Sequence, residues 1–128
     1  MLDCPKILVV EDNDLNRKLF HDLLTIKSFK VIESKEGYDV MDIALRERPS
    51  LILMDIQLCG ISGIDLIKAL KTHDATKYIP IIAVTAFAMQ QDELKIMESG
   101  CDMYLSKPVM INDFFNAIAK YVNIEVLV

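Results

Sequence analysis

Asp12 and Asp55, with Glu11 beside the first, are carboxylates that each follow a short apolar run. Carboxylate oxygens are hard ligands, and a few of them suit Mg²⁺, which keeps several of its waters. Three crowded acids repel and raise one another's pKa unless a cation compensates. A metal and Lys107 can supply that positive charge. An aspartate beside such a metal and a lysine can act as a nucleophile toward a phosphoryl group. Thr85 ends another apolar run, and its hydroxyl can donate to a transferred phosphoryl oxygen. Each residue alone has a plainer explanation. Asp55 suits a helix or turn cap, Lys107 a solvated surface lysine, and Thr85 a strand-end turn hydroxyl. Their joint placement argues for a site, because a random chain rarely ends so many apolar runs in polar groups.

The elements that must position these groups alternate. Ile7-Leu8-Val9-Val10, Val31-Ile32, Leu51-Ile52-Leu53-Met54, Ile81-Ile82-Ala83-Val84 and Met103-Tyr104-Leu105 read as strands by length and β-branched content. The first, third and fourth are apolar throughout, as in strands covered on both faces. The second, residues 29–34, carries Lys30 and Glu33 and reads as a half-wet edge strand. Helical stripes lie between them: Leu15, Leu19, Phe20, Leu23 and Leu24; Val40, Ile43 and Ala44; Ile64, Ile67 and Leu70; Ile111, Phe114, Phe115, Ile118 and Val122. All four stripes are expected in the core. Asp14 is the expected cap of the first helix, Pro49 follows the second, and Gly100 closes the fourth. That fourth helix, residues 89–99, has little apolar content and should pack shallowly. Five strands alternating with five helices predict an α/β fold, a parallel sheet covered on both faces. Functional groups of such sheets gather beyond the carboxyl ends of the strands, where Glu11, Asp12, Asp55, Thr85 and Lys107 all fall.

Composition narrows the function. The 128 residues suit one domain able to bury a core without staples. Fourteen basic against nineteen acidic residues give a net charge of −5, which disfavours a nonspecific grip on nucleic acid. No apolar run approaches the roughly 18 residues that span a bilayer. The N-terminus lacks the apolar core and cleavage site of a signal peptide, so a cytoplasmic protein is expected. Cys4, Cys59 and Cys101 form no C-x-x-C pair, and His21 and His73 stand apart, so reduced thiols are expected rather than zinc or disulfides. His21 is expected to have no special role, and Tyr104 to be an edge-strand aromatic half in the core.

Glu11-Asp12, the L-I-L-M-D run ending at Asp55, V-T-A around Thr85 and S-K-P around Lys107 resemble, in order and spacing, the receiver domain of two-component response regulators. The resemblance covers about residues 6–122 of one domain of 128 residues. Within the family, E-D-N-D-L-N-R-K-L-F-H-D-L-L, L-I-L-M-D-I-Q-L and A-V-T-A-F-A-M are similar to single-domain regulators of the bacterial cell cycle. The resemblance implies a flavodoxin-like (βα)5 three-layer sandwich with strand order 2-1-3-4-5. It implies phosphorylation of Asp55 by a histidine kinase or histidine phosphotransfer protein. Mg²⁺ would be held by Glu11, Asp12, Asp55 and the backbone carbonyl of Gln57. Lys107 would pair with the phosphoryl group, and Thr85 and Tyr104 would form the switch pair. The downstream partner would bind the fourth helix, fifth strand and fifth helix, in a signalling phosphoacceptor and not a metabolic enzyme. The Lys107–Pro108 bond would be a candidate for cis.

One departure stands out. Receivers commonly carry proline four residues after the phosphorylated aspartate, and here Cys59 stands there. Without the fixed φ of proline, that loop is expected to be more mobile. A redox role for Cys59 is conceivable, but a tolerated substitution is the expectation. Two rivals remain. Asp12-Asn13-Asp14 forms a D-x-D, as in haloacid dehalogenase phosphatases, although the chain leaves little room for their cap. The other is a phosphorylation-independent interaction module, against which the intact Thr85 and Lys107 argue. A calcium loop fails, because Arg17 replaces its glycine and Leu23 its glutamate. The apolar residues 123–128 are expected to pack back on the domain rather than to drive dimerisation.

Overall fold

The computed structural model describes residues 4–86 and 90–122. The expectation for residues 123–128 lies outside them. Strands β1 (Lys6–Val10), β2 (Lys30–Ser34), β3 (Leu51–Asp55), β4 (Ile81–Thr85) and β5 (Met103–Ser106) alternate with five helices. These are α1 (Asp14–Ile26), α2 (Val40–Glu47), α3 (Gly63–Thr72), α4 (Gln90–Glu98) and α5 (Ile111–Ala119). All strand pairs are parallel, in the order β2-β1-β3-β4-β5. From β1 the chain runs outward to β2, then crosses back past β1 to β3 and on toward the other edge. The space above β1 and β3 is therefore the crevice where ligands bind in such sheets.

Alternation along the strands divides the core into two layers. Ile7, Val9, Leu51, Leu53, Ile82 and Val84 face α1 and α5, where Phe20 stacks on Phe114 with ring centroids 5.2 Å apart. Leu8, Val10, Ile52, Met54, Ile81 and Ala83 face α2, α3 and Ile96 of α4. β3 and β4 are buried at every position, whereas β2 at the edge is fully buried only at Ser34. Among the described side chains of α4, Ile96 is the apolar one that is buried, in line with the shallow packing expected.

Two expectations need correction. Leu15 and Leu19 are 80% and 43% exposed, and Ile111 is also exposed. Leu15 and Ile111 lie in the first turns of α1 and α5 and Leu19 one turn further into α1, so the helical stripe extends past the cover that the sheet provides. Asp14 does not cap α1. Asn13 does, its Oδ1 accepting from the Asn16 N–H at 3.0 Å.

The opposite rim is pinned. Lys71 Nζ donates to Asp102 Oδ2 at 2.8 Å and to the Ile79 carbonyl at 2.9 Å, and Asp102 Oδ2 also accepts from the Ile81 N–H. This joins the end of α3, the start of β4 and the turn before β5. No helix among the described residues is long and apolar enough to cross a membrane. Phe114→Ala, which empties the centre of one layer, is expected to lower unfolding free energy by about 3–5 kcal/mol in urea denaturation.

Candidate functional site

Each carboxylate reaches the rim by a different route. β1 ends at Val10, and the chain turns out at Glu11 and Asp12 before α1 begins. Asn13 fixes this turn twice: its side chain caps α1, and its N–H donates to Glu11 Oε2 at 3.2 Å. Arg17, one turn into α1, clasps the turn from outside. Its guanidinium donates to the Glu11 carbonyl at 3.0 Å and pairs with Glu33 of β2 and with Asp14. Asp55 is the last residue of β3, and Gly63 at the start of α3 packs against its backbone. A Cβ at Gly63 would lie 2.4 Å from the Asp55 carbonyl oxygen and 2.7 Å from Ile56 Cα, so glycine is required by the close approach.

These routes bring Glu11, Asp12 and Asp55 together, with one oxygen of each within 4.8 Å of the others. Glu11 is 1% and Asp55 2% exposed, and Asp12 is half-buried. Lys107, from the end of β5, places Nζ 3.2 Å from Glu11 Oε1 and 3.2 Å from Asp55 Oδ2. The second contact is a hydrogen bond, whereas Glu11 Oε1 is buried with no hydrogen bond. Burial, reinforced by Asp55, pushes the Glu11 carboxyl up to about 7. Burial also opposes the Lys107 ammonium, but Asp55 and Glu11 outweigh it and leave its pKa raised. Crowding thus raises an acid as the sequence suggested, although burial is the larger cause. Three acids facing one ammonium, with a buried Glu11 oxygen that has an ion pair but no hydrogen bond, are a donor set that fits a hard divalent cation.

Thr85 closes β4, fully buried, and its carbonyl accepts from the Lys107 N–H at 2.7 Å. The Lys107–Pro108 bond is cis. Tyr104 lies half-buried on β5, and the nearby Glu93 carboxylate of α4 holds the phenol's pKa above its usual value. Gln57 donates its N–H to Asp55 Oδ1 at 2.9 Å, and its side-chain oxygen accepts from the Ala86 N–H at 3.0 Å. The structure therefore gathers Glu11, Asp12, Asp55, Lys107 and Gln57 at one rim with Thr85 at its wall, and sets Tyr104 further out on β5. Asp14, the second acid of the D-x-D, is exposed and pairs with Arg17 and Lys35 outside the acid cluster.

The turn with Cys59 is held by hydrogen bonds where proline would have fixed φ. The Cys59 N–H donates to Asp12 Oδ2 at 3.1 Å, and the Tyr38 hydroxyl donates to the Gly60 carbonyl at 3.2 Å. Gly60 has φ of +85°, and a Cβ there would meet the Tyr38 hydroxyl at 2.7 Å. All three cysteines are free, Cys4 and Cys59 exposed and Cys101 buried. His21 pairs with Glu33 at 3.3 Å beside Arg17. Sequence reasoning missed Arg17, Tyr38 and the Gln57 side chain. Only Arg17 had a local signal, its three-residue spacing from Asp14 in a helix.

A fold of this topology with buried acids and a lysine above β1, β3 and β5 defines a class of signalling domain. The chain belongs to the response regulator receiver domain family, whose model matches residues 7–119. It is 46% identical over 115 residues to the polar-differentiation response regulator DivK of Brucella anthropi, covering 90% of this chain and 94% of that one. The DivK of Brucella ovis is 44% identical over the same coverage. Among solved structures, the receiver domain of a Pseudomonas aeruginosa sensor histidine kinase is 28% identical with a TM-score of 0.85, covering 93% of this chain and 98% of that one. That structure has a magnesium ion coordinated in its active-site cleft. A Vibrio cholerae chemotaxis protein, CheY4, shares the fold at 19% identity and a TM-score of 0.87, covering 94% of this chain and all of the other.

The crowded acids set a pair of opposite effects. In chelator at neutral pH, Glu11→Gln is expected to unfold at higher urea than wild type, by about 1 kcal/mol, because one buried charge is gone. Mg²⁺ at about a hundredfold above its Kd is expected to add about 2.7 kcal/mol to wild type and little to Asp12→Asn. Urea denaturation in chelator checks the first, and thermal melts with and without Mg²⁺ check the second.

Proposed function

We propose that this receiver, about residues 6–122, accepts a phosphoryl group on Asp55 from a histidine kinase or histidine phosphotransfer protein in the cytoplasm. The reading is carried by one observation: Asp55 is buried at a strand end with Lys107 on one oxygen and two further acids beside it. Glu11, Asp12 and Asp55, with the backbone carbonyl of Gln57, would hold Mg²⁺, which when bound offsets the negative charge of acids and phosphoryl oxygens together. The magnesium-bearing cleft of the related Pseudomonas receiver supports this assignment.

The reaction needs little covalent chemistry from the protein. An Asp55 carboxylate oxygen attacks phosphorus, the bond from phosphorus to the donor's imidazole nitrogen breaks, and the imidazole leaves. Lys107 then pairs with the new phosphoryl oxygens, and the Thr85 hydroxyl donates to one of them. The group adds about −1.5 to −2 of charge, enough to draw both residues inward. Tyr104 follows Thr85, exchanging Glu93 for the interior. Because Glu93 is on α4, the change reaches the face formed by α4, β5 and α5, where a downstream protein would bind. The likeness to polar-differentiation regulators supports a role in cell-cycle or cell-division signalling. Nothing in this scheme requires turnover of a metabolic substrate.

The exposed Leu15 and Leu19 fit the donor's docking. A groove of about 320 Å³ runs from Asn16 and Leu19 to Pro108 and Lys107. Lys107 thus lines the groove and touches Asp55, so an apolar helix seated there would bring a histidine to the reacting oxygen.

Incubation with acetyl phosphate and Mg²⁺ is expected to label wild type and leave Asp55→Asn unlabelled, as read by intact mass; equal labelling of both would sink the proposal. Leu15→Glu with Leu19→Glu is expected to slow transfer from a phosphohistidine protein at least about tenfold, a loss typical of apolar anchors. Labelling by acetyl phosphate, which needs no docking, should stay unchanged.

A further inference from the structure

We infer that the Gln57 side chain is a tether between the phosphorylation loop and the segment leading to α4, holding the Thr85–Ala86 peptide in its present orientation. The observations concern a single peptide plane. Its carbonyl, that of Thr85, accepts from the Lys107 N–H at 2.7 Å. Its N–H, that of Ala86, donates to Gln57 Oε1 at 3.0 Å. A trans peptide turns as a rigid unit and carries these two groups on opposite edges, so any rotation of the plane strains both bonds. The less supported of the two is the one to Gln57. The Lys107 bond continues the β4–β5 ladder, in which Thr85 is in register with Ser106, whereas the Gln57 bond ends on a side chain at an exposed position.

The other end of the tether is anchored at the reacting group. The Gln57 N–H donates to Asp55 Oδ1, and the Ile56 N–H donates to the Val84 carbonyl at 3.0 Å, extending the β3–β4 ladder beyond Asp55. The side-chain bond therefore adds a rung beyond that ladder. It joins the loop after β3 to the first residue after β4 on the route to α4. Any change in the Asp55 carboxylate acts on the Gln57 backbone, and through one side chain on the peptide that carries Thr85. As a switching device this rests on the phosphoacceptor reading above, whereas the tether itself does not.

The geometry sets what can replace glutamine. Ala86 offers a donor, so the tether needs an acceptor at the end of two methylene groups. Glutamate supplies one, and leucine matches the bulk without it. A neutral hydrogen bond of this kind is worth on the order of fivefold in an equilibrium.

Amide hydrogen exchange by NMR in the full chain, without Mg²⁺ or phosphodonor, tests the tether. Ala86 should exchange about fivefold faster in Gln57→Leu than in wild type, with Ile56 and Lys107 amides unchanged, and Gln57→Glu should keep the protection. Equal protection of Ala86 in wild type and Gln57→Leu overturns the tether, as does loss of protection in Gln57→Glu to the leucine level. For the switching role, α4 amide shifts of unphosphorylated Gln57→Leu should move toward those of wild type treated with acetyl phosphate and Mg²⁺. Unmoved α4 shifts overturn it. Should acetyl phosphate fail to label wild-type Asp55, the phosphoacceptor reading and the switching role fail together, while the exchange comparison still decides the tether.

Discussion

An imbalance of buried charge governs the carboxyl rim of this sheet. Glu11 and Asp55 are almost fully buried, Asp12 adjoins them, and Lys107 is the ammonium that answers them. Burying an acid without a partner is costly, and one lysine cannot compensate three. The surrounding turns are therefore occupied with carboxylates: Asn13 on Glu11, Gln57 on Asp55, Cys59 on Asp12. Backbone N–H groups do this work, so the acids and the loop conformations depend on each other. A change in charge at the centre must be felt by every loop that holds an acid.

The sheet makes that concentration possible. Parallel strands send all their carboxyl ends to one rim, and the reversal of strand order between β1 and β3 opens the space above them. Cores on both faces hold the strands in register, so Asp55, Thr85 and Lys107 arrive at fixed heights. The close contact of Gly63 with the Asp55 backbone shows how little slack remains there.

Much of this was legible in the sequence, and the gaps have physical causes. Uninterrupted apolar runs told central strands from the mixed β2 edge, and the last residue of each run marked the rim. Glu11, Asp12, Asp55 and Lys107 were readable because residue type and strand-end position coincide. Leu15, Leu19 and Ile111 were misread because helical spacing reports which face of a helix is apolar, and not how far the opposing layer extends. Asn13 and Asp14 are adjacent acceptors, and only the hydrogen bond to the Asn16 N–H decides between them. Arg17, Tyr38 and the Gln57 side chain act through partners distant in sequence or on other loops: Arg17 on Glu33, Tyr38 on Gly60, Gln57 on Ala86. No local pattern encodes such pairings, which follow only from the closed fold.

The lysine–aspartate pin on the far rim gives α4 a mechanical character. Its last turn leads through Gly100, where an added Cβ would meet the Lys71 side chain, into the pinned Asp102. Its first turn leaves the opposite end of the molecule, beyond Thr85 and Ala86. Among the described side chains of the helix Ile96 is the deeply seated one, so the helix would act as a lever with its foot at the pin and its fulcrum there. A displacement of its leading end would be converted into a tilt of the whole rod rather than a slide. Leu94 and Met97, exposed on that rod, would sweep through different arcs on either side of the fulcrum. A partner reading this face would then sense an angle more readily than a distance.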